Sequence, residues 1–254
     1  MKRLLIYDQP VVLNRARHRH LRLKSQPAHF EFARQLNSVP LTSVEFADAA
    51  RDYPIVFAGT PDQASMPAVL LGLAASENLF VLDDGRWEAD AYIPAFLRRY
   101  PFVVADKGDG TAGDFNVCLE RAFLLEEGDD GEPLFDAEGR EAPALSRAMK
   151  FLVDYQGAVE RTQAMMRQLH DNDLLIARSV HAERPGAPKQ TISGFSVVDE
   201  TRLQKLSAKT LKELSRTGTL GLLYVHLASL ANLKRLARRR EARALVPPPP
   251  PTMQ

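Results

Sequence analysis

Cysteine is almost missing from this sequence of 254 residues. Cys118 is the single cysteine, so the chain can form no internal disulfide and no zinc site built on several thiolates. Such a composition fits a reducing compartment. Cys118 lies in a stretch of alternating polar and apolar residues. We interpret it as a small filler rather than a nucleophile, because no cation stands beside it in the sequence.

Long hydrophobic runs and net charge are also lacking. No segment approaches the roughly 18 apolar residues that a membrane helix needs. The basic start at Lys2 and Arg3 reaches Asp8 and Pro10 too soon for a signal peptide. We therefore expect a cytoplasmic protein with no membrane span, associated with a surface only by an unrecognised route. The formal charge of +1 gives no field that favours nucleic acid as a partner.

Local catalytic motifs are absent from the sequence. It contains no glycine-rich phosphate loop, no Gly-x-Ser-x-Gly elbow, no His-Glu-x-x-His and no pair of cysteines. We predict no metal and no cofactor. A catalytic triad can be assembled from distant segments, so an enzyme stays open as an alternative. A non-enzymatic protein is favoured.

The strongest pattern that is present is a duplication. The stretch 53–58, YPIVFA, is followed further along by the stretch 100–105, YPFVVA. Each follows a short helix-like segment that must end before the proline, because the residue before a proline avoids the α region. Each also precedes a second apolar run and a Leu-Phe pair, at Leu79 and Leu134, that leads into a turn. The pattern predicts a duplicated helix–strand–hairpin unit.

The segment before the first unit predicts two further elements. Residues 37–40, NSVP, are typical of a turn. Residues 41–46 alternate between apolar and polar side chains, which predicts a strand.

The second half of the chain is predominantly helical. From Pro143 apolar residues recur at steps of three and four, which predicts a helix of roughly 25 residues. A strand at 194–198 precedes short helices capped by Asp199 and Ser207. Thr219 opens a last helix with apolar residues on nearly every side. Such a helix is buried inside the protein or in an assembly.

These patterns together predict an α+β fold. Its mixed, largely antiparallel sheet comes from the duplicated helix–strand–hairpin unit and is packed by the long helix and a C-terminal helical segment. We expect a single domain over residues 1–245. The proline run within residues 246–254 predicts a disordered tail. We expect a protein partner, and a homo-oligomer through the C-terminal helix stays open.

Basic residues gather near both ends of the chain. Over residues 10–24 they favour a charged, solvated edge strand. A patch for anions or nucleic acid is the weaker alternative, because no aromatic residues are interleaved. From Lys234 to Arg243 the cations suit the negative end of a helix dipole, with phosphate binding as the minority interpretation.

Four residues form the best candidate for a ligand site: Trp87, Arg98, Arg99 and Tyr100. An arginine fork can bind a carboxylate or a phosphate through two hydrogen bonds. An aromatic ring beside it can cover the ligand. The short segment around the two arginines is bracketed by prolines, which would hold both guanidinium groups in place.

A structural interpretation competes with this site. One arginine would pair with an acid such as Asp52 or Glu88, and the other would face solvent. His226 is the remaining candidate for ligand binding. It lies on the mostly apolar last helix, where a core histidine with a satisfied hydrogen bond is the favoured interpretation.

Motifs along nearly the whole chain, from about residue 11 to residue 236, resemble the bacterial SapC family. They are NSVPLT (37–42), EF (45–46), YPIVF (53–57), ENLF (77–80), DGRW (84–87), IPAF (93–96), RRYPF (98–102), GF (194–195), VVDE (197–200) and Y-x-H-L-x-S-L (224–230). The proline tail departs from the family pattern.

The resemblance implies an association with a paracrystalline bacterial surface layer, after which the family is named. It implies no established activity and no catalytic residue. A permease subunit of peptide transport shares the name, but this sequence has no spans to match it. Family members are often encoded beside flavin-dependent, tryptophan-halogenase-like proteins and outer-membrane receptors.

Two functional hypotheses follow from the residues and the resemblance. The first is a non-enzymatic accessory or interaction protein of a bacterial envelope or surface-layer system. The alternative is a peptide- or small-molecule-modifying enzyme that acts beside a flavin-dependent, halogenase-like partner. A deep pocket with convergent polar groups would favour the enzyme.

Overall fold

A computed structural model describes residues 6–24, 29–64, 66–106, 115–126, 130–182 and 190–245. The predicted disordered tail therefore lies outside the described residues. The strands are β1 (Pro10–Val12), β2 (Arg22–Lys24), β3 (Ser38–Pro40), β4 (Ile55–Ala58), β5 (Met66–Leu70), β6 (Phe102–Asp106), β7 (Phe115–Glu120), β8 (Leu124–Leu125), β9 (Gly131–Pro133), β10 (Leu175–Ala182) and β11 (Gln190–Val198). The helices are α1 (Arg15–His18), α2 (Phe46–Ala49), α3 (Ala95–Arg98), α4 (Pro143–Asp171), α5 (Glu200–Gln204), α6 (Ala208–Arg216), α7 (Thr219–Ser229) and α8 (Asn232–Leu245).

These strands are divided among three sheets. Their strand orders are β1-β7-β6, β10-β11-β4-β5-β3 and β8-β2-β9. The described strands pair in an antiparallel manner within these sheets. The predicted α+β class is thus confirmed. The prediction of a single domain over residues 1–245 stays a prediction.

The two Tyr-Pro units share one pattern of strand pairing in two different sheets. In the first, Ile55 of β4 lies opposite Val69 of β5, which lies opposite Val39 of β3. In the second, β6 pairs with β7 and β7 with β1 in the same way, through Phe102, Leu119 and Val11. Each unit therefore contains three paired strands, the third of which comes from an earlier part of the chain. In the first unit β4 also pairs with β11, so these strands belong to the five-stranded sheet.

Matching hydrogen bonds confirm that the two units share one register. The carbonyl of Pro54 accepts from the N–H of Leu70, and that of Pro101 accepts from Glu120, each at 3.0 Å. One difference between the two copies is the Tyr100–Pro101 peptide, which is cis. The predicted duplication is therefore present in the backbone pairing itself.

The Leu-Phe turns of the two units also correspond. Residues 81 and 87 form an isolated antiparallel bridge in the first turn, and residues 135 and 141 form one in the second. Gly85 and Gly139 take φ values of +79° and +75° at equivalent places. A glycine suits this left-handed conformation because it has no Cβ to clash with the backbone.

Two local predictions before the first unit are wrong. Residues 38–40, predicted as a turn, form strand β3, because they pair with β5 across the sheet. The alternating stretch after them is a 3-10 turn, Ser43–Glu45, that leads into α2. Thr42 and Glu45 cap this turn reciprocally, and a capping box satisfies backbone N–H groups that a strand would have paired elsewhere.

Glu45 is buried, with 4% of its surface exposed, and its carboxylate joins the two units. One oxygen accepts from the N–H of Thr42 at 2.9 Å and from its hydroxyl at 2.7 Å. The other accepts from the hydroxyl of Tyr92 at 3.0 Å and from the N–H of Ala95 at 2.6 Å. Ala95 begins α3, so this side chain of the first unit caps the helix that opens the second.

The long helix α4 runs for 29 residues and begins with Pro143 in its first turn. Proline is favoured there because its missing N–H would have no partner inside the helix. Thr162 ties α4 to the first unit, since its hydroxyl accepts from the N–H of Ser43 at 2.8 Å. The predicted long helix is confirmed.

The C-terminal segment is also helical, but the predicted last helix consists of two, α7 and α8. The caps at Asp199 and Ser207 are confirmed, since each side chain accepts from backbone N–H groups of its helix. Leu223 of α7 is fully buried, whereas Tyr224 beside it is 53% exposed. Helix α7 therefore has one buried face and one exposed face.

Two polar side chains of this segment hold the start of β4. The hydroxyl of Ser229 accepts from the N–H of Ile55 at 3.0 Å. The amide of Asn232 donates to the carbonyl groups of Ala50 at 2.7 Å and Tyr53 at 3.1 Å. Backbone groups that would otherwise be buried without partners are thus satisfied by the C-terminal helices.

We expect Leu223→Asp to destabilise the fold strongly, because it places an unpaired charge on the buried face of α7. The loss should be several kcal/mol in the free energy of unfolding. Val153→Asp is the control and should cost under about 1 kcal/mol, because Val153 on α4 is 53% exposed. Urea denaturation of both variants measures the difference. Equal stability of the two variants would show that α7 is peripheral.

We expect Glu45→Gln to be costly as well. The amide keeps one acceptor oxygen but turns an NH₂ group toward two of the four donors, leaving them unsatisfied. The expected loss is about 2–3 kcal/mol. Glu213→Gln is the control, because it removes only the surface ion pair with Arg216 and should cost under about 1 kcal/mol. A shift in the urea midpoint no larger than that of the control would contradict this role for Glu45.

Candidate functional site

A continuous series of aromatic rings connects the two Tyr-Pro units. Neighbouring ring centroids lie 4.0 to 6.0 Å apart. In order along the series the residues are Tyr7, Tyr100, Phe32, Phe30, Trp87, Phe80 and Tyr53. The structure therefore brings the predicted residues Trp87 and Tyr100 into one aromatic cluster. Phe30 and Phe32, which sequence reasoning missed, lie between them.

Trp87 lies deep in this cluster, with 7% of its surface exposed. Its indole N–H donates to the hydroxyl of Tyr53 at 3.1 Å. The Tyr53 hydroxyl in turn donates to the carbonyl of Tyr92. The single polar atom of the Trp87 side chain is thus used in an internal bond, and its ring packs between Phe30 and Phe80.

Tyr100 lies nearer to the surface and is only partly buried. Its ring stacks on Phe32 at 4.0 Å and meets Phe123 edge-on at 5.3 Å. Desolvation, with a smaller effect of the nearby Glu120 carboxylate, raises the pKa of Tyr100 to about 12. The phenol therefore stays neutral at physiological pH.

Arg98 is exposed and is held by polar and aromatic groups. Its Nε donates to the carbonyl of Ile93 at 3.0 Å, and one Nη donates to the hydroxyl of Tyr92 at 3.1 Å. The guanidinium lies 5.6 Å from the ring centroid of Tyr92 and 5.4 Å from that of Phe151. A cation over an aromatic face is stabilised by the ring quadrupole.

Arg99 is partly buried inside a second aromatic group. Its guanidinium carbon lies 4.3 Å from the ring centroid of Phe96, 5.3 Å from that of Tyr155 and 5.8 Å from that of Tyr7. Its Nε is buried and has no hydrogen-bond partner among the described residues. The cation is thus positioned by rings rather than by a counter-ion.

Neither arginine forms an ion pair with an acid in the parts of the chain that the structure describes. The predicted pairing with Asp52 or Glu88 is wrong. Asp52 accepts from the N–H of Tyr92 at 2.9 Å, and Glu88 pairs with Arg239 of α8. Glu88 meets Arg239 because the chain brings the distant helix α8 against the first unit.

His226 is fully buried on α7 and lies apart from this aromatic series, and its ring centroid lies 4.9 Å from that of Phe57 on β4. Its Nε2 accepts from the N–H of Val198 at 3.1 Å, so the proton of the neutral ring is on Nδ1. Burial, opposed by a smaller effect of the Ile55 backbone, lowers the pKa of His226 to about 4. The ring joins α7 to the end of β11 and stays neutral.

The basic residues of α8 have a structural role that the sequence did not reveal. Arg240 pairs with Glu77 at 2.9 Å, and Arg243 donates to the carbonyl of Asn78 at 2.9 Å. Arg239 pairs with Glu88 and lies over the ring of Phe80 at 4.6 Å. Much of the cluster therefore binds the first turn rather than solvent.

The N-terminal basic stretch does the same for the second turn. Arg15 donates to the carbonyl of Glu138 at 2.8 Å, and Arg19 donates to that of Ala137 at 3.0 Å. The predicted edge strand over residues 10–24 is interrupted by α1, whose N-cap is Asn14. Asn14 interrupts the strand because its side chain accepts from the N–H groups of Ala16 and Arg17.

Metal-ligand clusters and membrane-spanning helices are not found within the described ranges. No group of three or more histidine, cysteine or acidic side chains there could hold an ion. No helix in the same ranges is both long and apolar enough to cross a bilayer. Cys118 is buried, and burial raises the pKa of its thiol.

We expect His226 to make the fold sensitive to acid. Its folded-state pKa of about 4 lies below the ordinary value of 6.5, so the unfolded state binds the proton more tightly. The stability that neutral His226 contributes is present above pH 6.5 and is lost as the pH falls toward 4. The loss should reach about 3 kcal/mol.

Urea denaturation between pH 7 and pH 4 tests this effect. His226→Gln should be less stable at pH 7 but should lose less stability on acidification than the wild type. His20→Gln, at an exposed site, is the control and should follow the wild-type curve. Parallel curves for wild type and His226→Gln would refute the assignment.

Comparison with known proteins gives one match. No curated protein and no solved structure matches the chain. A family model, SapC, matches residues 13–236, which include both Tyr-Pro pairs, the long helix α4, helix α7 and the beginning of α8, and begin just after β1. The match covers most of the chain, and the motifs on which the sequence resemblance rested lie within or beside the contacts described above. The chain therefore belongs to the SapC family.

Proposed function

We propose that this protein is a non-enzymatic accessory protein of a bacterial envelope or surface-layer system, and that Arg98 and Arg99 bind an anionic group of a protein partner. The observation that carries the proposal is the geometry of these two neighbouring cations. Aromatic rings position both of them, and no carboxylate of the described chain pairs with either. The family name supports the surface-layer part of the proposal.

The chemistry of the pair suits a carboxylate or a phosphate. A guanidinium group presents several N–H donors in a planar fork, which matches the oxygens of both anions. The rings around Arg98 and Arg99 restrict these side chains before a partner arrives. Less conformational entropy is therefore lost on binding than at two mobile surface arginines.

The exposed face of α7 is a second surface for partners. Helix α7 carries no acidic residue and no lysine or arginine, and Tyr224 is its largest exposed side chain. A two-fold interface places a surface against its own copy, so an uncharged face avoids like-charge repulsion. We propose a homo-oligomer through this face. If light scattering shows a monomer both for the wild type and for Tyr224→Asp, the proposed homo-oligomer is contradicted.

Binding to surface-layer protein isolated from the native bacterium tests the main proposal. We expect Arg98→Ala and Arg99→Ala each to weaken binding about tenfold or more, because each removes a charge-assisted contact. Arg216→Ala is the control, since this arginine is exposed and forms only a pair with Glu213. Biolayer interferometry at two salt concentrations measures the affinities, and added salt should weaken wild-type binding.

Thermal melting of the same variants separates binding from folding. A binding role predicts weaker affinity with a nearly unchanged melting temperature for Arg98→Ala. Affinities equal to that of Arg216→Ala would refute the proposal. A change in the mass of the partner after incubation with wild-type protein would instead favour the alternative, a modifying enzyme.

A further inference from the structure

A surface cleft lies between α8 and the first Tyr-Pro unit, and its volume of about 470 Å³ lies within the range of small-molecule sites. Three walls form it. Asp52 stands on the segment before Tyr53, Phe80 and Glu88 stand on the first turn, and α8 closes the third side. The cleft is lined by other residues than the Arg98–Arg99 pair.

Helix α8 presents one face to this cleft. Arg235, Arg238, Arg239 and Ala242 recur at steps of three, one and three, which places them on one side of a helix. Arg239 is neutralised by Glu88 and fixed over Phe80. Arg235 is fixed by its bonds to the carbonyl of Arg51 at 2.7 Å and to the amide oxygen of Asn232 at 3.2 Å.

Arg235 is bonded only to neutral groups, and the charges of Arg238 and Asp52 also have no ionic partner among the described residues. Arg238 forms no ion pair or hydrogen bond with any residue that the structure describes. The carboxylate of Asp52 accepts one hydrogen bond, from the N–H of Tyr92, and meets no cation among the described side chains. One wall thus offers an unpaired anion, and the facing helix offers an unpaired cation.

We propose that this cleft binds a small zwitterion, such as a short peptide with free ends. Its ammonium group would pair with Asp52, and its carboxylate would pair with Arg238 beside the fixed guanidinium of Arg235. A ligand with both charges gives Asp52 and Arg238 each an ionic partner. A simple anion would leave the charge of Asp52 without a partner and would be repelled by it. The exposed Ala242 gives the cleft an apolar surface for the aliphatic part, above the buried side chain of Leu236.

Three forms of one dipeptide test the proposal. Leu-Leu carries both charges, N-acetyl-Leu-Leu carries only the carboxylate, and Leu-Leu amide carries only the ammonium group. Isothermal titration of the full chain should show Leu-Leu binding about tenfold or more tightly than either blocked form, since each blocked form loses a charge-assisted contact. Inorganic phosphate should bind no better than N-acetyl-Leu-Leu.

Two variants assign the charges to their residues. Asp52→Asn keeps an oxygen that can accept from the N–H of Tyr92, so the fold is preserved. In this variant Leu-Leu should bind no more tightly than N-acetyl-Leu-Leu, but it should still bind more tightly than Leu-Leu amide. Arg238 is exposed. In Arg238→Gln, Leu-Leu should bind no more tightly than Leu-Leu amide, but it should still bind more tightly than N-acetyl-Leu-Leu. Arg216→Gln should change neither.

Several results would overturn the proposal. They are equal affinity for the three dipeptides, no binding of Leu-Leu up to about 10 mM, tighter binding of phosphate, or affinities that neither variant changes. Each of these is independent of the behaviour of Arg98→Ala and Arg99→Ala.

Discussion

The buried carboxylate of Glu45 is the interaction on which the arrangement of the two units depends. A carboxylate removed from water is costly unless its oxygens find donors. Here four donors come from two places in the chain, Thr42 beside it and the segment from Tyr92 to Ala95. The first unit therefore keeps the beginning of the second in one position. The aromatic series that runs between the two tyrosines of the Tyr-Pro pairs then packs in a defined way.

Arginine is used throughout this protein to bind backbone carbonyl groups and turns. Arg243 and Arg34 donate to carbonyls of the first turn, and Arg15 and Arg19 donate to those of the second. A guanidinium group serves well here because its donors can reach several carbonyls from one position. Arg98 follows this pattern through the carbonyl of Ile93, whereas the guanidinium of Arg99 is surrounded by aromatic rings.

Much of the fold could be predicted from local signals. The Tyr-Pro pairs, the proline at the start of α4 and the caps at Asp199 and Ser207 each act on their own neighbours, so the sequence displays them directly. Strand β3 was missed because its strand character comes from pairing with β5, far along the chain. Strand β10 was missed as well, although its partner β11 is the next strand along the chain.

The candidate site was predictable only in part. Trp87 and Tyr100 do lie in one aromatic cluster, but Phe30 and Phe32 connect them, and no spacing in the sequence indicates that contact. The pairing of Glu88 with Arg239 joins residues far apart in the chain. Ion pairs of this kind depend on how whole elements pack, so a list of nearby acids could not identify them.

The order of the strands has a consequence for how the chain is synthesised. The first unit takes its three strands, β3, β4 and β5, from one continuous stretch of the chain. The second takes β1 from before that stretch and β6 and β7 from after it. On the ribosome β1 emerges early but has no partner until β7 follows, and pairing of such distant strands is slow because a long loop must close first. Strands β3, β4 and β5 can therefore pair while β1 still has no partner. The second unit is completed only when β7 has been synthesised and pairs with β1.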